Sequence, residues 1–147
     1  MKISTKVQYA SRALLDIAMQ KGAEPVQLKD IAERQQMPLP YLEQIVKPLI
    51  SAGIIKSVRG PHGGISMAKE PGHIKLSEIV EAIEGPVALV KCLDNAQNCA
   101  LSGACVTQEV WSDVQKAIDG VLESITLKDL VKRHKEKAKT QSSMYYI

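Results

Sequence analysis

Two short β-prone runs, separated by a turn rich in glycine and proline, stand in a chain whose other segments have helical periodicity. The runs cover residues 54–58 and 65–68, and residues 59–64 join them with the sequence RGPHGG. Such a pair of runs around a Gly/Pro turn predicts a β-hairpin. Because helical patterns precede and follow it, the sequence predicts a mainly α fold that contains one small hairpin.

An amphipathic helix is predicted near the start of the chain. Apolar and small residues recur at intervals of three and four from Ala10 to Ala18, which is typical of a helix that buries one face. Ser4 or Thr5 can cap its first turn, and Gly22 and Pro25 are predicted to end it.

Two further helices are predicted before the hairpin. A short one covers residues 28–35, and the next begins near residues 38–40 and ends at Gly53. Helix, short turn, helix and hairpin follow one another in the order of a winged helix-turn-helix, which is a DNA-binding architecture. The apolar face of the third helix, which we expect to point into the core, consists of Leu42, Ile45, Val46, Leu49 and Ile50.

The opposite face of the third helix carries side chains that suit DNA. Glutamine can form two hydrogen bonds with adenine in the major groove, glutamate can accept one from cytosine, and tyrosine and lysine can hold phosphates. A solvated helix face without a ligand is the alternative interpretation. The candidate DNA contacts are Pro40 at the start of the helix, Tyr41, Glu43, Gln44 and Lys47.

The hairpin tip offers a second set of candidate DNA contacts. Arg59 stands beside Gly60, and a guanidinium presented on such a tip suits a narrow minor groove. His62 lies on the same tip and can approach a phosphate. An ordinary turn that carries one arginine is the alternative.

Helical periodicity resumes after the hairpin. A helix is predicted over residues 76–84 and a long one over residues 106–125, with an apolar stripe from Val110 to Ile125. The long helix would extend about 28 Å, and so long a stripe indicates a partner helix in a two-fold homodimer. Packing within one monomer is the alternative. A further capped helix is predicted over residues 126–133, with a polar, solvated continuation.

Cys92, Cys99 and Cys105 are the three cysteines of the chain, and they follow one another in a predicted loop. No charged leader or membrane-spanning apolar stretch is recognised, so a cytoplasmic protein without a membrane partner is expected. Because thiols stay reduced in that compartment, an odd set of three favours a metal or iron–sulfur site over disulfides. A three-thiolate zinc site and redox-active thiols are the alternatives.

Composition limits the other classes of function. The charged fraction is 24% and the formal net charge is +3, which permits nucleic-acid binding without requiring it. No glycine-rich phosphate loop follows a predicted strand. The histidines, His62, His73 and His134, are scattered without a paired nucleophile, so an enzyme is not expected.

Several of these motifs together resemble the Rrf-type bacterial transcription regulators. They are MKISTK at residues 1–6, YLEQ at 41–44, SVRGP at 57–61 with the glycines at 63–64, the three cysteines, and ITL at 125–127 with Leu130. The resemblance is greatest to the iron–sulfur cluster regulators of that family. It implies a homodimeric winged-helix repressor whose cluster state alters DNA binding, and which controls iron–sulfur cluster biogenesis or related iron, sulfur or redox genes.

The same resemblance assigns roles to individual positions. Tyr41, Glu43 and Gln44 match DNA-contacting positions, and Arg59 with Gly60 matches the wing. The three cysteines match the ligands of an iron–sulfur cluster, either [2Fe-2S] or [4Fe-4S]. The implied partner is double-stranded DNA with a pseudopalindromic operator, whose half-sites would lie about 34 Å apart.

Some positions depart from the family pattern. Gln108 stands where the cluster regulators have a histidine ligand, and Gln8 stands where nitric-oxide sensors supply an acidic one; the nearest carboxylates are Asp94 and Glu109. The ending MYYI, residues 144–147, is similar to that of cysteine-metabolism repressors, which work without a cluster and with a partner enzyme. A cluster-free regulator of cysteine metabolism and a zinc-stapled DNA-binding protein are therefore the alternatives.

The chain is expected to form a single Rrf-type domain over residues 1–147. Residues 1–85 would form the winged helix-turn-helix part, and residues 86–105 the cysteine loop. Residues 106–140 would hold the dimerisation helix and the C-terminal helix.

Overall fold

The computed structural model describes residues 2–20, 24–95, 97 and 99–145, so the predicted stop at Gly22 and the final Tyr146 and Ile147 lie outside the described residues. A short 3-10 helix, Pro71–His73, follows the hairpin. The α-helices and strands are α1 (Thr5–Met19), α2 (Leu28–Gln35), α3 (Leu39–Ser51), β1 (Ile55–Val58), β2 (Gly64–Met67), α4 (Leu76–Glu84), α5 (Lys91–Asp94), α6 (Val106–Ser124) and α7 (Leu127–Met144).

Of the two predicted caps, Ser4 is the residue that caps α1. Its side-chain oxygen accepts a hydrogen bond from the Val7 amide at 3.3 Å, which satisfies one of the amides that a first helical turn leaves without a partner. The apolar stripe of α1 then packs against α2, α3, α4 and α7. Because Ala10 and Leu14 are fully buried there, α1 is the central helix of the core.

The apolar face of α3 closes the core except at its last position. Ile50, which was expected to face the core, is exposed. The reason is that the chain leaves the helix immediately afterwards, through Gly53 with a φ of 69°, and Ile54 and Ile55 take the buried positions instead. The residues of this face that are buried as predicted are Leu42, Ile45, Val46 and Leu49.

The predicted hairpin is confirmed, with each strand shifted by about a residue. β1 and β2 pair antiparallel, with Ile55 opposite Met67. Val26, just before α2, adds a bridge to Ile65 through two backbone hydrogen bonds of 2.8 Å. The hairpin is therefore fastened to the chain that leads into α2.

The junction between α6 and α7 is bonded to the segment before α4. Leu76 donates its amide to the carbonyl of Ile125, and Leu127 donates its amide to the carbonyl of Ile74, each at 2.8 Å. Leu127 is fully buried, so α7 starts in the core. α7 continues to Met144, and its second half is exposed, as expected for its polar sequence.

The fold confirms the predicted mainly α, winged helix-turn-helix class. α1, α2, α3 and the hairpin form the winged-helix part, and the long helix α6 follows it. α4 connects the two, because it packs against α3 on one side and against α6 on another. Among the residues that the structure describes, no helix combines the length and apolarity needed to cross a membrane.

Candidate functional site

The exposed face of α3 presents most of the side chains that the sequence predicts as DNA contacts. α3 follows a tight turn in which Gln36 has a φ of 52°, in the left-handed region. Pro40 lies in the first turn of α3, where its missing amide costs no helical hydrogen bond. An exposed α-helix of this kind can enter the major groove. The exposed candidates are Pro40, Glu43, Gln44 and Lys47.

Tyr41 differs from these neighbours because it is half-buried. Its ring meets the ring of Tyr9, on α1, edge to face, with centroids 5.5 Å apart and planes at 84°. This is a favourable geometry for two aromatic side chains. The expectation that Tyr41 stands on the solvated face of α3 is therefore wrong in part, since Tyr41 also packs against the core.

The hairpin tip is exposed and has a defined shape. Gly63 donates its amide to the carbonyl of Gly60 at 2.9 Å, and the side-chain amide of Gln27 donates to the carbonyl of Gly63 at 3.3 Å. Gly60 has a φ of 115°, which residues with a side chain rarely adopt. Arg59 and His62 are both exposed on this tip, so the hairpin can present a guanidinium to DNA beside α3.

The three cysteines lie along one segment but do not converge. Cys92 is in α5, Cys99 follows it in an irregular stretch, and Cys105 occupies the N-cap position of α6. All three thiols are free and half-buried. Within the described ranges, no three metal-ligating side chains are close enough to hold a metal ion. The predicted loop is also partly helical, because α5 forms one helical turn that packs against α6.

The surroundings of Cys105 favour its thiolate. Its Sγ lies 3.1 Å from Oγ1 of Thr107. This side-chain hydrogen bond, followed by one from the backbone amide of Gln108, lowers the pKa of the Cys105 thiol below its ordinary value. The thiolate is the form that binds metals and reacts with oxidants.

Two glutamines of α6 fasten the cysteine segment to that helix. Gln108 donates its side-chain amide to the carbonyl of Cys92 at 3.2 Å, and Gln115 accepts a hydrogen bond from the amide of Leu89 at 2.9 Å. Because they are two helical turns apart, both lie on one face of α6. Gln115 is absent from the sequence-based predictions, although its spacing from Gln108 would have placed the two together.

The positions considered for a fourth ligand differ in their surroundings. Gln108 is bonded to the backbone of Cys92, whereas Gln8 is exposed on α1. Asp94 and Glu109 are exposed. In the described part of the chain, neither carboxylate completes a group of three ligands with the thiols.

A family model described as an iron-dependent transcriptional regulator, Rrf2, matches residues 3–133. The chain belongs to the Rrf2 family. The match extends from before α1 into α7, so it includes α3, the hairpin and all three cysteines. It confirms the resemblance on which the residue assignments depend.

Similar proteins span most of the chain. IscR of Citrobacter koseri, an HTH-type transcriptional regulator, is 38% identical over 131 residues, which are 89% of this chain and 80% of that protein. The structure of T. potens IscR has a TM-score of 0.78 at 42% identity, and the match covers 99% of this chain and 97% of the IscR chain. The structure of CymR, the global cysteine regulator of B. subtilis, has a TM-score of 0.77 at 35% identity, and the match covers 90% of this chain and 98% of the CymR chain. The chain is thus an Rrf2-family transcriptional regulator related to both IscR and CymR.

Proposed function

We propose that the chain is a cytoplasmic, homodimeric repressor whose binding to operator DNA responds to an iron–sulfur cluster held by Cys92, Cys99 and Cys105. One observation carries this proposal. The cysteine segment is bonded to α6 through Gln108 and Gln115, and α4 packs against both α6 and α3. A change in the segment can therefore reach the DNA-contacting helix through two packed interfaces.

DNA contact is assigned to the exposed face of α3 and to the hairpin tip. Glu43 and Gln44 would contact base edges in the major groove, and Tyr41 and Lys47 would contact phosphates near the start and the middle of α3. On the hairpin, Arg59 would enter the minor groove, with Gly60 giving the tip its shape and His62 approaching the backbone.

The donor chemistry of the cysteine segment fits an iron–sulfur cluster. Cysteine thiolates are its usual ligands, the three thiols are free, and the pKa of Cys105 is lowered by Thr107. A bound [2Fe-2S] or [4Fe-4S] cluster would supply a centre that oxidants or iron supply can change. The thiols do not converge in the described residues, so ligation would have to draw the segment together and thereby order it.

The homodimer is assigned to α6. None of the residues of α6, all of which are described, is fully buried. Val110, Trp111 and Val121 are 56%, 46% and 58% exposed in the single chain. An apolar face of this kind marks a protein interface, and a two-fold pair of α6 helices would match a pseudopalindromic operator. In this assignment the chain is one domain, with residues 1–85 as the winged helix, 86–105 as the cysteine segment and 106–140 for assembly.

Two other functions have specific support. The structural similarity to CymR and the MYYI ending favour a cluster-free regulator of cysteine or sulfur metabolism that acts with a partner enzyme. Three free thiols in one segment would also suit a zinc staple in a DNA-binding protein.

Anaerobic purification followed by counting of iron, acid-labile sulfide and zinc separates these functions. We expect a coloured protein with iron and sulfide, and loss of both in Cys92→Ala, Cys99→Ala and Cys105→Ala. Ser102→Ala, which changes an exposed residue of the same segment, should retain them. A colourless protein that holds zinc would favour the zinc staple, and a protein with no metal would favour the cluster-free regulator.

A further inference from the structure

We infer that Arg12 of α1 positions the start of the DNA-contacting helix α3, because its guanidinium holds both the turn before α3 and the ring against which Tyr41 packs. The inference rests on the proposed role of α3 in contacting DNA. It adds a residue outside α3 and the hairpin to the set that determines sequence preference.

Arg12 binds the end of α2. Its Nη2 donates a hydrogen bond to the backbone carbonyl of Gln35, and its Nε donates to Oε1 of the same residue at 3.3 Å. Gln35 is the last residue of α2, where helical carbonyls lack a partner within the helix. Gln36 follows in the left-handed conformation and turns the chain toward α3. Arg12 therefore holds the backbone at the point that sets the direction of α3.

The same guanidinium covers an aromatic ring. The central carbon of the Arg12 guanidinium lies 5.3 Å from the ring centroid of Tyr9, within the range of a cation–π contact. The ring of Tyr9 in turn meets that of Tyr41, in the first turns of α3, edge to face at 5.5 Å. Arg12 thus supports the start of α3 from a second direction.

A buried carboxylate binds the nitrogen of the Gln35 side-chain amide, whose oxygen binds Arg12. The amide Nε2 of Gln35 donates to Asp16 at 2.9 Å, and Asp16 is only 6% exposed. Arg34 binds the same carboxylate through Nη2 at 2.6 Å and through Nε at 3.0 Å. Charge-assisted paired hydrogen bonds of this type restrict geometry strongly. Gln35 is therefore held between Arg12 and Asp16, which lie one turn apart on α1.

Arg12 is itself exposed, so a direct contact with a DNA phosphate is the competing role. The two roles differ in what they change. A phosphate contact contributes to affinity for every sequence and to its salt dependence, whereas a positioning residue acts on the base contacts made by others.

The test compares Arg12→Ala and Arg12→Lys with wild type on two duplexes over a series of salt concentrations. One duplex is that which the wild-type chain enriches from a random library, and the other is a scrambled duplex of the same composition. Lys6→Ala is the matched control, since it removes an exposed positive charge from the same helix without touching the turn. Thermal unfolding checks that each variant is folded. If Arg12→Ala does not fold, the comparison is made with Arg12→Lys instead.

Arg12→Ala should reduce the preference for the enriched duplex about tenfold. Its affinity for the scrambled duplex and the salt dependence of binding should change little. Arg12→Lys should lose nearly as much, because an ammonium lacks the planar fork that reaches the carbonyl and the ring together. Lys6→Ala should keep the preference. In a Tyr41→Ala background, Arg12→Ala should cause a smaller further loss than in wild type, because only the contact with Gln35 is then left to remove.

Three results would overturn the inference. Equal weakening on both duplexes, with a shallower salt dependence, would mean that Arg12 contacts a phosphate. Unchanged preference in Arg12→Ala, with a selective wild type, would mean that Arg12 has no positioning role and would leave the proposed function intact. A wild-type chain that prefers no sequence would overturn the proposed function together with this inference.

Discussion

Gln44 offers the simplest single-residue test of the role assigned to α3. Its side chain is exposed and can form two hydrogen bonds with adenine. Gln44→Ala should therefore cost about 1–3 kcal/mol at an adenine-containing site and relax the preference at that base. Binding to a series of duplexes with single base changes measures this. Lys47→Ala, as a control, should weaken binding to all sequences alike. The same uniform loss of affinity in Gln44→Ala would contradict a base contact.

Asp16 makes folding stability depend on pH. Its burial disfavours the charged form, but hydrogen bonds from Arg34 and Gln35 outweigh this cost and hold the pKa of Asp16 below its ordinary value. The carboxylate therefore stabilises the fold above about pH 4, and this contribution is lost as the pH falls through the lowered pKa of the folded state.

Asp16→Asn should lower the free energy of unfolding by about 1–3 kcal/mol at neutral pH. This loss of unfolding free energy is modest because the Arg34 side chain is 43% exposed and can be solvated when its partner is lost. Urea unfolding of wild type and variant from neutral pH downward gives the comparison. The difference should shrink as Asp16 becomes protonated, and a constant difference at all pH values would contradict the ion pair's role.

At the scale of elements, the hairpin and α6 respond in opposite ways to an added methyl group. A Cβ at Gly63 would collide with the backbone carbonyl of Val58, so Gly63→Ala should destabilise the hairpin by about 1–3 kcal/mol. A Cβ at Gly120, within α6, meets open space, so Gly120→Ala should stabilise the protein by about 0.5–1 kcal/mol. Chemical denaturation measures both changes. A Gly63→Ala variant as stable as wild type would exclude the tip geometry described above.

The elements themselves follow from local signals, and the exceptions follow from contacts distant in sequence. The caps at Ser4 and Thr126 and the apolar periodicity predict the helices closely, because these interactions lie within one or two turns. The burial of Tyr41 depends on Tyr9, which belongs to another helix. Ile50 is exposed because the chain turns after it, which the helical pattern alone does not encode.

The candidate site is predictable to the same extent. Residue types and spacing are enough to select the exposed face of α3, the tip arginine and the three thiols. The role of Arg12 could not be predicted, because nothing in the sequence around an exposed helical arginine shows which distant backbone carbonyl it binds. The separation of the thiols was also beyond prediction, since it depends on how α5 packs against α6.

For the whole molecule, assembly is the property that α6 should control. Val121 is 58% exposed in the single chain, and a charge there would be placed in the proposed interface. Val121→Asp should therefore convert a dimer into a monomer, as measured by sedimentation equilibrium. The neighbouring Gly120→Ala is the control and should remain dimeric. A Val121→Asp variant that stays dimeric would exclude this face of α6 as the interface.

The central claim is that a cluster held by the three cysteines modulates DNA binding, and the affinities of the cluster-loaded and cluster-free protein for the enriched duplex test it most directly. Both must be measured without oxygen and at one salt concentration, because phosphate contacts make affinity strongly salt-dependent. We predict that the two affinities differ by about tenfold, within the usual range for coupling between two sites. Equal affinities at every duplex tested would contradict control by a cluster.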